Sequence, residues 1–310
     1  MHSFLRKEKQ GSDVLINTKK FHVIGEGVVL VDHGPVTMTL EAKKEGLPFT
    51  EAALAGAEKA VNVFNDLAVY LEIIRRPVSE IKDIPAHAPE AVKRMVNSVR
   101  MLNEPEFTPL AAVAGTVSDL AVEEMSRLGT DFAMANNGGD IAWKVSEKGR
   151  ESIRAALISD IKIGNKTHCL EVNSFEDIRG IATSGMGGRS LTRGIASAVT
   201  VLAENSSLAD AAATSIANAC ISDDPAIVQC PAEELDYGTD IKGLLVTKSV
   251  GNLKKESVFK ALLSGKERAE SLMKCGMIRG AVIFVSGEMA VSGGIDNKKC
   301  LFEVKKLDRK

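Results

Sequence analysis

The chain has 310 residues, is 45% hydrophobic and 26% charged, and carries a net charge of −2. That length suits one large domain or two smaller ones, and the near-neutral balance leaves no electrostatic footprint for nucleic acid or an anionic membrane. Aromatic residues make up only 4%, which argues against a base-stacking platform, and no apolar run approaches the roughly 18 residues of a membrane span.

Residues 1–13, MHSFLRKEKQGSD, are polar, have no apolar core for a signal peptide, and read as a loose tail before a single domain over 14–310. Strand-like sequence runs from Val14 to Lys43; Val28–Val31 and Val36–Leu40 flank Asp32-His33-Gly34-Pro35, which predicts a hairpin. Pro48 and Thr50 introduce a long helix, with Thr50 as its cap, apolar residues from Leu54 to Leu71 at helical spacing, and Arg76-Pro77 as its end. A shorter helix is expected over Glu90–Leu102. TPLAAVAGTVSDLAVEEMSRLG reads as a complete helix with Thr108 as N-cap, Pro109 at the first position and Gly129 closing it. Its small face at Ala111, Ala112, Ala114 and Gly115 fits close helix packing or a ligand shelf.

Two short strands follow, Phe132–Ala135 and Ile141–Val145, around Asn136-Asn137-Gly138-Gly139-Asp140. That turn is a hairpin connection, or a place where backbone amides meet a ligand and Asp140 binds a hydroxyl or metal. More strand material spans Ile153–Ile163, with a turn at Asn165. Gly180–Ala219 is the most informative stretch. Its glycine loop, Gly185-Met186-Gly187-Gly188-Arg189, permits close approach of an anion, and Arg189 and Arg193 suit phosphate or carboxylate. The Walker pattern is absent. An apolar strand and an alanine-rich helix follow, and the helix carries Asp210 and Thr214 one turn apart, two oxygens for one hard cation such as Mg²⁺. Equally, Ser207-Leu-Ala-Asp210 fits a capping box in which Asp210 only reaches back to the Ser207 amide. Asp223-Asp224-Pro225 ends the helix, a mixed loop runs to about Asp240, Leu244–Thr247 is a short apolar run, and Lys254–Cys275 is a helix closed by Gly276. Ala281–Ser286 and Cys300–Val304 read as closing strands with a turn at Gly293-Gly294. Strands in pairs with helices inserted between them predict an α+β domain rather than a regular βαβ array.

The five cysteines form no C-x-x-C pair, which argues against a disulfide framework, a zinc site or an iron–sulfur cluster and for reduced thiols in a cytoplasmic protein. The five histidines are scattered without metal-ligand spacing.

NNGGDIA at 136–142 resembles the N-x-G-G-D-I motif of the ApbE superfamily of flavin transferases. AVTVLA at 198–203 followed by ADAAAT at 209–214 resembles that family's strand and A-D-A-x-A-T signature, and GIATSG at 180–185 resembles its strand ending in Ser-Gly. With PLAAVAG at 109–115 the chain looks closest to the UPF0280 group of ApbE-like proteins. The resemblance implies a T-fold-like, ApbE-like architecture of antiparallel sheets with paired helices. It implies FAD or FMN in a cleft and Mg²⁺ near the diphosphate, with FMN transferred to a Ser or Thr of a target protein. By motif, Asp210 and Thr214 would hold the metal; Asn137, Gly138, Gly139 and Asp140 would line the nucleotide site, with Thr183, Ser184 and Gly185 beside it. The transferases' H-I-x-D-P-x-T-G stretch is missing; the shorter Gly187–Ile195 segment has no His, Asp or Pro, and Arg189 and Arg193 occupy it, which suggests a different anionic ligand. No catalytic residue is assigned. The expected partners are a small anionic or nucleotide ligand and a protein partner, with no nucleic acid or membrane and with a homodimer left open. The alternatives are an accessory protein in sulfur incorporation during homocysteine formation, or a redox flavoprotein related to hydroxynicotinate reductase.

Overall fold

The structure is a computed structural model that describes residues 21–146, 152–161, 164–173, 177–296 and 299–307. The expected loose tail over 1–13 lies outside the described residues, as do the first residues of the Val14 strand stretch and residues 162–163. In chain order the N-terminal part comprises β1 (Phe21–Gly25), β2 (Val28–His33), β3 (Val36–Lys44), β4 (Leu47–Pro48), α1 (Thr50–Val69), α2 (Leu71–Ile74) and α3 (Glu90–Met101). A 3₁₀ turn, Pro109–Ala112, leads into α4 (Val113–Arg127). Then come β5 (Phe132–Asn137), β6 (Asp140–Val145), β7 (Ile153–Asp160), β8 (Asn165–Val172), β9 (Gly180–Ser184), β10 (Ala198–Ala203) and α5 (Ser206–Ala219). The chain closes with β11 (Ile227–Pro231), α6 (Ala232–Leu235), β12 (Leu245–Val250), α7 (Lys255–Lys274), β13 (Ile278–Val285), β14 (Glu288–Gly293), β15 (Ile295–Asp296), β16 (Lys299–Cys300) and β17 (Phe302–Lys306).

Among the described residues, ten strands form one antiparallel sheet in the order β1-β2-β3-β5-β6-β9-β10-β13-β14, with β4 attached to β3. Alternation along the strands decides what each face meets. In β3, Val36, Met38 and Leu40 are buried while Thr37 and Thr39 are exposed. The buried set, with Ala133, Ala135 and Val199, packs against α1, α4, α5 and α7 in the main core. The opposite face carries Trp143, Ile181, Leu202 and Phe284, covered by a three-stranded sheet in the order β17-β8-β7. The α+β arrangement of antiparallel sheets with paired helices is therefore the observed one. No helix among the described residues is long and apolar enough to cross a membrane.

The local chemistry of three helix starts differs from expectation. Phe49, not Thr50, is the cap residue of α1, and the Thr50 hydroxyl accepts a bond from Gly27 N at 3.1 Å, which ties the helix to the β1–β2 turn. Thr108 stands at the cap position of the 3₁₀ turn, but its hydroxyl donates to Asp240 and leaves the turn's amides to the backbone. The cap of α5 is Asn205, whose Oδ1 accepts from Leu208 N at 2.8 Å, so the capping box that the spacing left open at Ser207 does not form. β11 and α6 fall in the stretch read as loop, and β14 was not foreseen.

Candidate functional site

The site begins with the contact of α4 and α5. A Cβ on Gly115 would lie 2.1 Å from Ser206 O, so only glycine lets the two helices come this close. Asp119, on the same side of α4, accepts from Ser206 N at 2.9 Å and Ser207 N at 2.8 Å, and from the Ser207 hydroxyl. These bonds hold the first turn of α5. One turn on, Asp210 Oδ2 accepts from Gly115 N at 3.0 Å. Asp210 thus binds across to α4 and is not a cap of its own helix. We expect Gly115→Ala to cost about 1–3 kcal/mol, the usual penalty of overpacking, and chemical denaturation would measure it; an unchanged midpoint would contradict the contact.

The second part is the β5–β6 turn. Gly138 and Gly139 have φ of 68° and 114°, backbone that favours glycine. Gly139 N donates to Asn136 Oδ1 at 2.9 Å, Ser118 Oγ donates to Asp140 O at 2.9 Å, and Thr183 N donates to Asp140 Oδ1 at 3.2 Å. Register places Asn137 opposite Asp140 and Thr183 opposite Thr200, so β5, β6, β9 and β10 end together beside α5. Asn137 donates through Nδ2 to Ala114 O at 3.4 Å, but its buried Oδ1 has no partner.

Two carboxylates meet here. Burial raises Asp140 to about 7, against the opposing pull of the Thr183 amide and Arg189. Asp210 is also raised well above the ordinary carboxylate range, by burial and then by the negative charge of Asp140, although the Gly115 amide works the other way. The pair repel each other, and a proton or a cation relieves that repulsion.

These groups open on a cavity of about 1110 Å³. It wraps the ends of the central strands, so part of it faces the helices and part faces the three-stranded sheet. All the sequence-derived site residues border it except Gly185, which lies behind the lining, where a Cβ would come within 3.0 Å of Ala198 Cα. Thr214 Oγ1 donates to Ser184 Oγ at 3.4 Å next to Asp210. The two arginines differ. Arg193 pairs with Glu106 at 3.1 Å, and its backbone carbonyl accepts from Gln229 and Thr247. Arg189 donates to Pro35 O at 2.7 Å, is exposed, and lies close over Gly138. The small face divides: Ala111 and Ala114 border the cavity, while Ala112 is in the core.

Among the described residues no three His, Cys, Asp or Glu side chains group as metal ligands. The donors present are all oxygen: the Asp140 and Asp210 carboxylates, the Thr214 hydroxyl and the orphaned Asn137 Oδ1. Such a set suits a hard cation that keeps part of its water shell, so the residues fit Mg²⁺. Sequence reading missed Ser118, Asp119, Asn136 and Thr200. Asp119 had a visible signal, a lone carboxylate between Val117 and Leu120 on an otherwise apolar helix stretch.

The family model described as AbpE bacteria matches residues 21–291 of the chain. The chain belongs to this family. Among relatives, the UPF0280 protein of Methanopyrus kandleri is 31% identical over 227 residues, covering 72% of this chain and 84% of that one. The UPF0280 protein of Methanosarcina barkeri is 35% identical over 180 residues, 58% of this chain and 64% of its own length. The chain thus spans a little under two thirds of some of the curated relatives it matches, and half of others, such as 51% of the Methanosarcina acetivorans UPF0280 protein. The flavinyl transferase ApbE of Pseudomonas stutzeri superposes with a TM-score of 0.40 at 12% identity, covering 87% of this chain and 96% of that one. The relationship of this AbpE-family chain to the ApbE-like superfamily, with UPF0280 relatives, is what the motifs implied.

Proposed function

We propose that this AbpE-family chain binds a flavin nucleotide, FAD or FMN, in the cavity together with Mg²⁺, and transfers FMN from FAD to a hydroxyl of a target protein. The observation that carries the reading is the mutually repelling pair Asp140 and Asp210 beside the orphaned Asn137 Oδ1. Buried polar atoms without partners and carboxylates forced together are costly unless a ligand satisfies them. Asp140, Asp210 and Thr214 would hold the cation, which would offset charge on the diphosphate oxygens. The Gly138-Gly139 turn lets phosphate approach the backbone, and Arg189 supplies positive charge at the rim. The cavity volume lies at the upper end of ordinary ligand pockets, a size that suits a dinucleotide. In the transfer the target's hydroxyl oxygen bonds to the flavin-side phosphorus, the diphosphate bond breaks, and AMP leaves with the proton.

Calorimetry with FAD, with and without Mg²⁺, tests binding, and a mass increase of one FMN on a hydroxyl-bearing target tests transfer. The absence of both FAD binding and a Mg²⁺ effect would overturn the reading. Arg189→Ala should weaken FAD binding about ten-fold, the ordinary worth of one charge-assisted contact, with the melting temperature unchanged because Arg189 is exposed. Equal affinity in the variant would place the phosphates elsewhere.

A further inference from the structure

The part of the cavity facing the three-stranded sheet contributes nothing to the carboxylate pair. Its floor is one face of the ten-stranded sheet, where Met134, Ile141, Ile181 and Thr183 share the same alternation. The Thr183 and Thr200 hydroxyls bond to each other at 2.9 Å on this floor. The side wall is β7. This strand pairs with β8 from Ile153↔Val172 to Asp160↔Asn165, and among the described residues no strand pairs with its other side. Residues 153–158, six in a row, border the cavity. Successive side chains of a strand point to opposite faces, so neither face supplies six consecutive residues; the cavity runs along the strand's edge. An open edge presents unpaired N–H and C=O groups to whatever lies beside it.

We propose that a partner protein docks here by adding an extended segment as a fourth strand beside β7. The proposal rests on the transferase reading, because the segment is the part of the target that enters the cavity. Main-chain bonds to the edge give affinity, and alternate side chains give selectivity. Side chains turned inward meet Met134, Ile141 and the threonines, a floor for Val, Thr or Ser. Those turned outward run alongside Arg154 and Ile158; the Arg154 side chain is 69% exposed and pairs with Glu171 at 3.1 Å. Arg154 and Lys166 border this part of the cavity, and Glu171, which pairs with Arg154, is shared with Lys305, so the wall keeps a positive excess; Asp140 and Asp210 stand on the helix side. The segment is therefore extended, acidic on one side, and bears hydroxyl or small apolar side chains on the other.

The test uses the full chain without nucleotide or Mg²⁺. The probe is an eight-residue peptide, the length of β7, with sequence Glu-Val-Glu-Thr-Glu-Val-Glu-Thr, and its control has Lys in place of every Glu. Hydrogen exchange of amides 153–158 should slow about ten-fold with the Glu peptide and not with the Lys peptide. Arg154→Glu, a change on an exposed side chain that also releases Glu171 from its ion pair, should reverse that preference. No slowing in this segment, slowing confined to another edge such as β14, or a preference indifferent to Arg154→Glu would overturn the proposal. Calorimetry with FAD on the same sample separates the two readings. Protection of β7 without FAD binding leaves docking and removes the transferase, whereas FAD binding without protection removes docking alone.

Discussion

The melting temperature of the metal-free protein should fall as pH rises from about 4 to about 7 and level off above that, and Mg²⁺ should restore it. Asp140 is raised from the ordinary carboxylate value of 3.8 to about 7 in the folded chain. A raised acid is protonated more readily in the folded state than in the unfolded one. Its contribution is therefore fully present below the unfolded value and is lost as pH climbs through the folded value. That rise bounds the loss at about 4 kcal/mol, and partial access to solvent reduces it to about 2–4 kcal/mol. Asp210 pulls in the same direction for the same reason, burial beside a like charge. Asp119 is also raised by burial and adds slope without touching the cavity. His168 opposes the trend, since burial and Lys306 hold it low. The Asp140→Asn variant isolates the pair: it should flatten the steep part of the profile and abolish the Mg²⁺ response while still accepting from Thr183 N. A wild-type midpoint that stays level with pH, or a variant still rescued by Mg²⁺, would show that the cation sits elsewhere.

That experiment bears also on Asp210, the neighbour of Asp140 in the site, whose local sequence was ambiguous. Asp210 satisfies a capping box and a metal ligand equally well at the level of spacing, because both need only a helix start and a carboxylate three residues on. The choice was made by residues far away in the chain: Gly115, 95 positions upstream, supplies the amide that Asp210 accepts, and Asn205 takes over the cap. The motifs at 136–142, 180–185 and 198–214 were legible because each is a strand end, a turn or a helix start whose chemistry is local. Their convergence was legible only through resemblance, since antiparallel register, here Asn137 with Asp140 and Thr183 with Thr200, sets which ends meet.

Other features left little local trace. β14, with Glu288, Met289 and Val291 exposed, is a half-polar edge strand, and β11 ends in Pro231, which weakens any strand signal. The open side of β7 could not be read either, because an edge is a property of the partner that is missing rather than of the strand itself. The pair of arginines shows the same limit in the opposite sense. Residue type made Arg189 and Arg193 equivalent, whereas Glu106 pairs with Arg193 and leaves Arg189 as the exposed charge over Gly138.

Asp119→Ala should be the most destabilising single change near the site, by about 3–5 kcal/mol. The carboxylate is 6% exposed and receives three donors, the amides of Ser206 and Ser207 and the Ser207 hydroxyl. Alanine leaves both amides without a partner inside the protein, while the Ser207 hydroxyl keeps its bond with Thr116 Oγ1 at 3.1 Å, and each buried orphan costs about 1–3 kcal/mol. No water path compensates, because Ser206 and Ser207 are themselves fully buried. All three donors belong to the first turn of α5, so the helix start would loosen and carry Asp210 with it. Asp119→Asn is the discriminating partner variant. Its Oδ1 can still accept, but its amide nitrogen opposes one donor, so it should lose roughly half as much stability as alanine. The effect on the cavity should follow the same order. Mg²⁺ affinity should drop in Asp119→Ala even though the side chain does not border the cavity, because the helix that presents Asp210 and Thr214 is no longer held by α4. Urea unfolding and metal titration on the same samples read both quantities. If alanine costs less than about 1 kcal/mol, or if stability falls while Mg²⁺ binding is untouched, then α5 is positioned by packing at Gly115 and not by this buried carboxylate.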